Sequence, residues 1–318
     1  MPPNKPRPAY NNPSPIKHSM ERRCNAHDYS APSLYMITLV IENRRPLLGQ
    51  LISDTEPHIE LSPLGTAIFY EEHTKIPKIY PNVEVVKICV MPDHIHMILN
   101  VKEDFPPKKN LGTLVNGFKA GCRQAWRRCG GQLGDSLFRT KYNDKILWRK
   151  GQLDKWKKYL DDNPRRLDEK RKNPDLFTGM HDIDINDIKC QMVGNKYLLN
   201  WPDKEAVIVH RSDSDEDFQK KKAHWLSFAE SGGILVNAAI AEREREVFHE
   251  AMERGYPLIW LRDNGFPDLY KPSGRSFDAC SEGRLLQISP WEYHYDNRTI
   301  TRDQCLYLNR LAEAIVAD

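Results

Sequence analysis

The 318-residue sequence has no CxxC pair, no apolar run long enough for a membrane span and no internal repeat. Its seven cysteines, at positions 24, 89, 122, 129, 190, 280 and 305, are odd in number and scattered. That pattern suits a reducing compartment and argues against a disulfide framework or a zinc knuckle. A membrane helix needs about 18 or more consecutive apolar residues, so none is expected. The N-terminus carries charge and proline without the apolar stretch of a signal peptide, and a cytoplasmic location is expected.

Charge is nearly balanced overall, with 47 Lys+Arg against 44 Asp+Glu. The balance hides a split: residues 1 to 175 hold 30 Lys+Arg and 20 Asp+Glu, whereas residues 176 to 318 hold 17 and 24. A basic first part suggests a polyanionic partner that the acidic remainder need not touch.

Residues 1 to 32 are rich in Pro and Asn without periodicity and read as a disordered tail. Leu34 to Ile41, Val83 to Val90 and His94 to Val101 read as strands, with Pro92-Asp93 interrupting the last two. From Asn110 to Arg128, apolar residues recur at three or four, predicting a helix stopped by Gly130-Gly131. A second helix is expected from about Gln152 to Asp162, halted by Asn163-Pro164. This order predicts an α+β domain over 33–175, a small antiparallel sheet with helices on one face. Residues 176 to 186 are expected to be a linker. Beyond it, short apolar strands alternate with helices, predicting a smaller α/β domain with a parallel sheet over 187–318.

The stretch Met91-Pro92-Asp93-His94-Ile95-His96-Met97 places two histidines inside an apolar run. Alternate strand residues share a face, so His94 and His96 point the same way and their rings can meet one cation. A strand with two tolerated imidazoles is the plainer alternative. On the helix after Gln152, Tyr159 and Asn163 stand at i and i+4 and share a face. Asn163 offers an amide oxygen, and a tyrosine can attack phosphorus where a metal polarises the phosphate. A tyrosine filling a gap on an exposed helix is the alternative there. Lys155, Lys158, Arg165 and Arg166 surround the pair and suit a nucleic-acid backbone, as do Lys119, Arg123, Arg139 and Lys141 upstream.

Three segments in order, Met91-Pro92-Asp93-His94-Ile95-His96, Tyr142-Asn143-Asp144-Lys145-Ile146 and Tyr159-Leu160-Asp161-Asp162-Asn163-Pro164, resemble the REP-associated branch of the HUH single-tyrosine transposases. The likeness covers roughly residues 33 to 170. It implies a ferredoxin-like sheet with the histidine strand central, His94, His96 and Asn163 as ligands of Mg²⁺ or Mn²⁺, and Tyr159 as nucleophile. It also implies single-stranded DNA beside hairpins as partner and a covalent 5′-phosphotyrosine intermediate. The residue before the first histidine is often Asn in that family and is Asp93 here. A homodimer stays open, as does a DNA-binding module without chemistry. A zinc protein would lack a third Cys or His ligand nearby.

The second half loosely resembles the Rossmann-like fold of the DNA-processing protein family that binds single-stranded DNA. Gly232-Gly233 enters a strand that precedes a helix, an arrangement that can hold an anion, but it lacks both GxGxxG and the phosphate-loop motif. With Lys271, Gly274 and Arg284 it forms a candidate ligand loop; a structural or dimerising domain is the alternative.

Overall fold

The computed structural model describes Cys24 and residues 26–132, 134–268, 270–296 and 298–317. The chain divides into two compact units, Met1–Asp168 and Glu169–Asp318. The architecture is mixed α+β, with antiparallel pairing in both units.

In the first unit the elements run β1 (Ser33–Val40), β2 (Gly49–Ile52), β3 (His58–Leu61), α1 (Pro63–Ala67), α2 (Ile76–Ile79), β4 (Val83–Met91), β5 (His94–Val101), α3 (Leu111–Arg128), β6 (Asn143–Ile146) and α4 (Gln152–Lys172), the last continuing past the unit's end. Four strands form one antiparallel sheet in the order β4-β5-β1-β6, and β2 pairs with β3 apart from it. The β4–β5 hairpin turns at Pro92-Asp93, whose carbonyls accept from Leu48 N and Ile41 N.

β1 is apolar on both faces, while β5 adds Ile95, Met97 and Leu99 to one face and only Ile98 to the other, and this decides the layering. On one face Tyr35, Ile37, Leu39, Ile95, Met97 and Leu99 pack with Leu111, Leu114, Val115 and Phe118 of α3. On the other, Met36 and Ile98 pack with Leu160 of α4. The expectation of helices on one face is therefore corrected: α3 and α4 cover opposite faces. α3 begins at Asn110, which exchanges capping-box bonds with Thr113.

α4 corrects a second expectation. Pro164 lies inside the helix, which runs on to Lys172. A proline removes one i→i−4 bond and costs about 3 kcal/mol in a helix interior. Here burial on both sides of it, at Leu160, Asn163 and Arg166, offsets that cost. The disordered-tail expectation for residues 1 to 32 falls on 1–23 and 25, which lie outside the described residues. The remainder is tied down: the Tyr29 hydroxyl donates to Asp144 Oδ2 at 2.8 Å, and Phe105 N donates to the Ser30 carbonyl.

The second unit contains β7 (Met180–Ile185), β8 (Ile188–Gly194), β9 (Lys204–Ala206), α5 (Asp215–Glu230), β10 (Ile234–Asn237), α6 (Glu242–Arg254), β11 (Leu258–Leu261), α7 (Arg275–Ser281), β12 (Leu285–Ser289) and α8 (Arg302–Ala317). The expected linker at 176–186 is instead largely β7, paired with β8. Asn186 and Asp187 both adopt positive φ, 46° and 63°, the backbone of a tight two-residue hairpin turn, and Ile183, Ile185 and Ile188 line the strands beside it. The sheet order is β7-β8-β12-β11-β10-β9, with β9 to β12 parallel and β8 antiparallel to β12. α5, α6 and α7 cover one face and α8 the other.

Candidate functional site

The site lies on the α4 face of the first sheet. Register sets Thr38 and Cys89 on either side of His96, on β1 and β4 respectively. His94 stands two residues along β5 on the same face. The two imidazole rings are 4.7 Å apart between centroids and nearly perpendicular, at 81°. The Tyr159 ring on α4 lies 6.0 Å from the His96 ring. Two elements far apart in sequence thus meet because Leu160, next to Tyr159, is drawn into the apolar seam with Met36 and Ile98. An ion pair between Lys87 of β4 and Asp161 ties the helix to the same face.

Each imidazole has one nitrogen occupied. His94 Nδ1 donates to Asp93 Oδ1 at 2.6 Å, and Asp93 Oδ2 accepts from Arg44 at 2.9 Å. Burial by itself would raise Asp93, but the bonds from His94 and Arg44 outweigh it and hold the carboxyl well below the usual range. The carboxylate therefore only accepts, which fixes the His94 tautomer with its proton on Nδ1. His96 Nδ1 lies 2.9 Å from the Thr38 hydroxyl. Burial, and then the neighbouring His94, pushes His96 well below the ordinary imidazole range, so the ring is neutral at neutral pH. Nε2 is the remaining coordinating atom on each ring.

Asn163 is buried, and among the described residues its Nδ2 has no hydrogen-bond partner. Its amide also meets the Cys89 thiol, beside His96 on the adjacent strand. The two ends of an amide are interchangeable by a half-turn, so the orphaned position can equally hold the carbonyl oxygen. Two imidazoles and an amide oxygen are a donor set that fits a divalent cation of intermediate hardness. Burial pushes the Cys89 thiol up to about 11, so it stays protonated and is no thiolate donor. Among the described residues no group of three or more His, Cys, Asp or Glu is placed to hold a metal ion.

Burial raises Tyr159 above an ordinary phenol, and Arg166 works against it, with its guanidinium carbon 5.4 Å from the ring. Arg166 is itself buried, which corrects its expected role as a surface contact to DNA backbone. Lys119 is corrected too. It is buried on α3, on the opposite face of the sheet, and its Nζ donates to the carbonyls of Arg139 and Thr140 at 2.6 and 3.1 Å. Arg123 is exposed on that same α3, away from Tyr159. Arg165 pairs with Asp162 at 2.6 Å. Lys155 and Lys158 are exposed on α4, and Lys141 is exposed just before β6. Sequence reading misses Thr38 and Arg44 altogether, because only strand register and the hairpin turn bring them to the histidines.

In the second unit the expected ligand loop does not assemble at the strand ends where α/β sheets bind ligands. Gly232 and Gly233 precede β10 and Arg284 precedes β12, so all three lie at the N-terminal edge of the parallel strands, whereas ligands favour the C-terminal edge. Gly233 has a packing reason: a Cβ there would fall 2.3 Å from the Phe228 ring. Arg284 pairs with Glu282 and reaches the Met252 carbonyl. Lys271 and Gly274 belong to the connection between β11 and α7. A cavity of about 490 Å³ instead opens past the C-terminal ends of β11 and β12, lined by Gln191, Phe266, Pro290, Trp291 and Tyr293 among others. Among the described residues no helix is long and apolar enough to cross a membrane.

No family model matches the chain. An uncharacterized protein of Haemophilus influenzae is 26% identical over 167 residues, 47% of this chain and 89% of that protein. Among solved structures, a REP-associated tyrosine transposase bound to a REP hairpin is similar at 17% identity and a TM-score of 0.32, covering 46% of this chain and 74% of that one. DNA processing protein A of Streptococcus pneumoniae is similar at 13% identity and a TM-score of 0.32, covering 80% of this chain and 72% of that one. The corresponding protein of Helicobacter pylori is 20% identical, with a TM-score of 0.32, over 44% of this chain and 65% of that one.

Proposed function

We propose that the first unit is a metal-dependent single-stranded DNA endonuclease and strand transferase that works through a covalent 5′-phosphotyrosine on Tyr159 at hairpin-flanked sites. One observation carries this reading: the His96 ring, paired with that of His94, lies 6.0 Å from the Tyr159 ring across about 60 residues of chain, with the buried amide of Asn163 one helical turn away. Packing alone has no need of that combination of groups.

His94, His96 and Asn163 would hold Mg²⁺ or Mn²⁺, which when bound would stabilise charge on the nonbridging phosphate oxygens. The protein's own residues do the rest. Tyr159 is held by Leu160 in the seam with Met36 and Ile98, so its oxygen approaches from a fixed direction. Arg166 opposes the burial that keeps the phenol protonated. A bond forms between Tyr159 Oη and phosphorus, the bond from phosphorus to the 3′ oxygen breaks, and overall one proton passes from the phenol to the 3′ oxygen. A later 3′-hydroxyl reverses the step and joins strands, so no nucleotide triphosphate is consumed. Lys155 and Lys158 supply backbone contacts beside the nucleophile. The second unit serves as an α/β accessory domain.

The test uses 3′-labelled single-stranded hairpin oligonucleotides with randomised flanks and Mn²⁺. A denaturant-stable adduct is expected with the wild type and none with Tyr159→Phe, and mass spectrometry should locate the nucleotide on Tyr159. Oligonucleotide binding without any adduct across the library would replace this reading with that of a non-catalytic nucleic-acid-binding protein.

A further inference from the structure

Trp148 lies between β6 and α4 and is 63% exposed, among the most exposed large apolar side chains in the first unit. An exposed indole normally costs solvation and gains nothing, and where it is mobile it needs no explanation. This one is held. Leu147 N donates to the Leu34 carbonyl at 2.8 Å, pinning the residue before it to the sheet. Arg149 N donates to Gln152 Oε1 at 3.1 Å, pinning the residue after it to the start of α4.

The ring itself rests on a buttress. The His27 ring meets it edge to face, 5.1 Å between centroids at 84°. His27 Nε2 is 2.7 Å from the hydroxyl of Tyr35, which is fully buried, and His27 also packs edgewise on Tyr29 at 4.8 Å. A half-buried histidine anchored on a core tyrosine therefore sets the orientation of a ring whose larger part faces water. A preorganised exposed aromatic gives stacking at little entropic cost.

The charges around it name the partner. Arg149 and Lys150 follow it directly and are exposed. On β6, Lys145 lies 5.0 Å from the Trp156 ring, and Trp156 in turn lies 5.3 Å from the Tyr159 ring. An apolar protein partner would have to strip water from these cations, whereas a polynucleotide places phosphates on them and a base on the indole.

We propose that Trp148 is a stacking platform for one unpaired base of single-stranded nucleic acid, with Arg149 and Lys150 on the adjoining phosphates. This deepens the reading of Tyr159 as nucleophile, because it gives the strand engaged there a second fixed point just before the N-terminus of the same helix. The stacking itself does not depend on the chemistry.

The experiment measures binding of the full chain to the hairpin oligonucleotides by fluorescence anisotropy at several salt concentrations. Trp148→Ala weakens binding roughly tenfold or more, in the range known for base–aromatic stacking. Trp148→Phe stays within a few-fold, and both keep the wild-type salt dependence because no charge is lost. Moving a single abasic site along the oligonucleotide locates one position that weakens wild-type binding and leaves Trp148→Ala binding unchanged. Binding of Trp148→Ala within twofold of wild type, or equal sensitivity of both proteins to every abasic position, overturns the proposal. Tyr159→Phe binds as wild type in the same assay, so a missing adduct with the Trp148 effect intact removes only the catalytic reading, and an adduct formed without any Trp148 effect removes only this one.

Discussion

His96 Nδ1 lies 2.9 Å from the hydroxyl of Thr38, its direct register partner on the neighbouring strand. The bond turns a buried imidazole into an oriented one. Groups that bond the second nitrogen of a ligating histidine commonly change metal affinity by about 10- to 100-fold. Thr38→Val keeps the β-branched shape and removes the hydroxyl, so Mn²⁺ affinity should fall within that range, while Thr38→Ser should retain it. Titration of free Mn²⁺ by electron paramagnetic resonance reads this without any reaction. Equal affinity in Thr38→Val would mean that the hydroxyl does not orient a ligand.

Leu160 is 1% exposed and closes the seam between α4 and the sheet with Met36 and Ile98. Leu160→Ala leaves a cavity there and should cost about 2–5 kcal/mol. Urea unfolding followed by circular dichroism measures the loss. Because Leu160 adjoins Tyr159, the residual adduct yield should fall even below the denaturation midpoint; unchanged yield would show that the seam does not position the phenol.

Lys119 separates the structural from the electrostatic role of a basic residue. Burial, then Arg123, lowers its ammonium to about 8, and two of its three donors serve the carbonyls of Arg139 and Thr140. Lys119→Ala orphans those carbonyls and should destabilise the fold by about 1–3 kcal/mol. Oligonucleotide affinity and its salt slope should stay as in the wild type. A reduced slope would restore Lys119 to the DNA-contacting set.

The pH dependence of stability without added metal should carry the signature of His96. An unfolded imidazole takes up a proton near pH 6.5, whereas the buried ring, depressed by desolvation and facing His94, Lys145 and Arg44 with Asp93 opposing, takes it up only at lower pH. Below about 6.5 the unfolded state therefore binds more protons, and stability falls as pH falls. Urea midpoints between pH 7 and 5.5 should decline in the wild type and decline less in His96→Gln. Parallel slopes in the two proteins would assign the effect to other groups.

Much of the local structure was legible in the sequence because it is set by short-range rules. The period of Leu111, Leu114, Val115 and Phe118 announces α3, and the alternation through His94, Ile95 and His96 announces β5 with both imidazoles on one face. The failures share a cause. Pro164 reads locally as a stop, yet burial of Leu160, Asn163 and Arg166 carries α4 through it. Residues 176 to 186 read as a linker, yet pairing with β8 makes Met180–Ile185 half of a hairpin. Lys119 and Arg166 read as solvent-facing cations, yet both are buried.

By itself the sequence determined which chemical groups are available and which of them share a strand or helix face, since the two-residue and 3.6-residue periods follow from backbone geometry alone. It placed Tyr159 and Asn163 one turn apart and His94 beside His96. Only the tertiary structure decided that these two pairs meet, because that depends on a strand being apolar on both faces and so drawing a helix onto each. Only register, a long-range property, put Thr38 against His96, and only the hairpin turn set Asp93 and Arg44 behind His94.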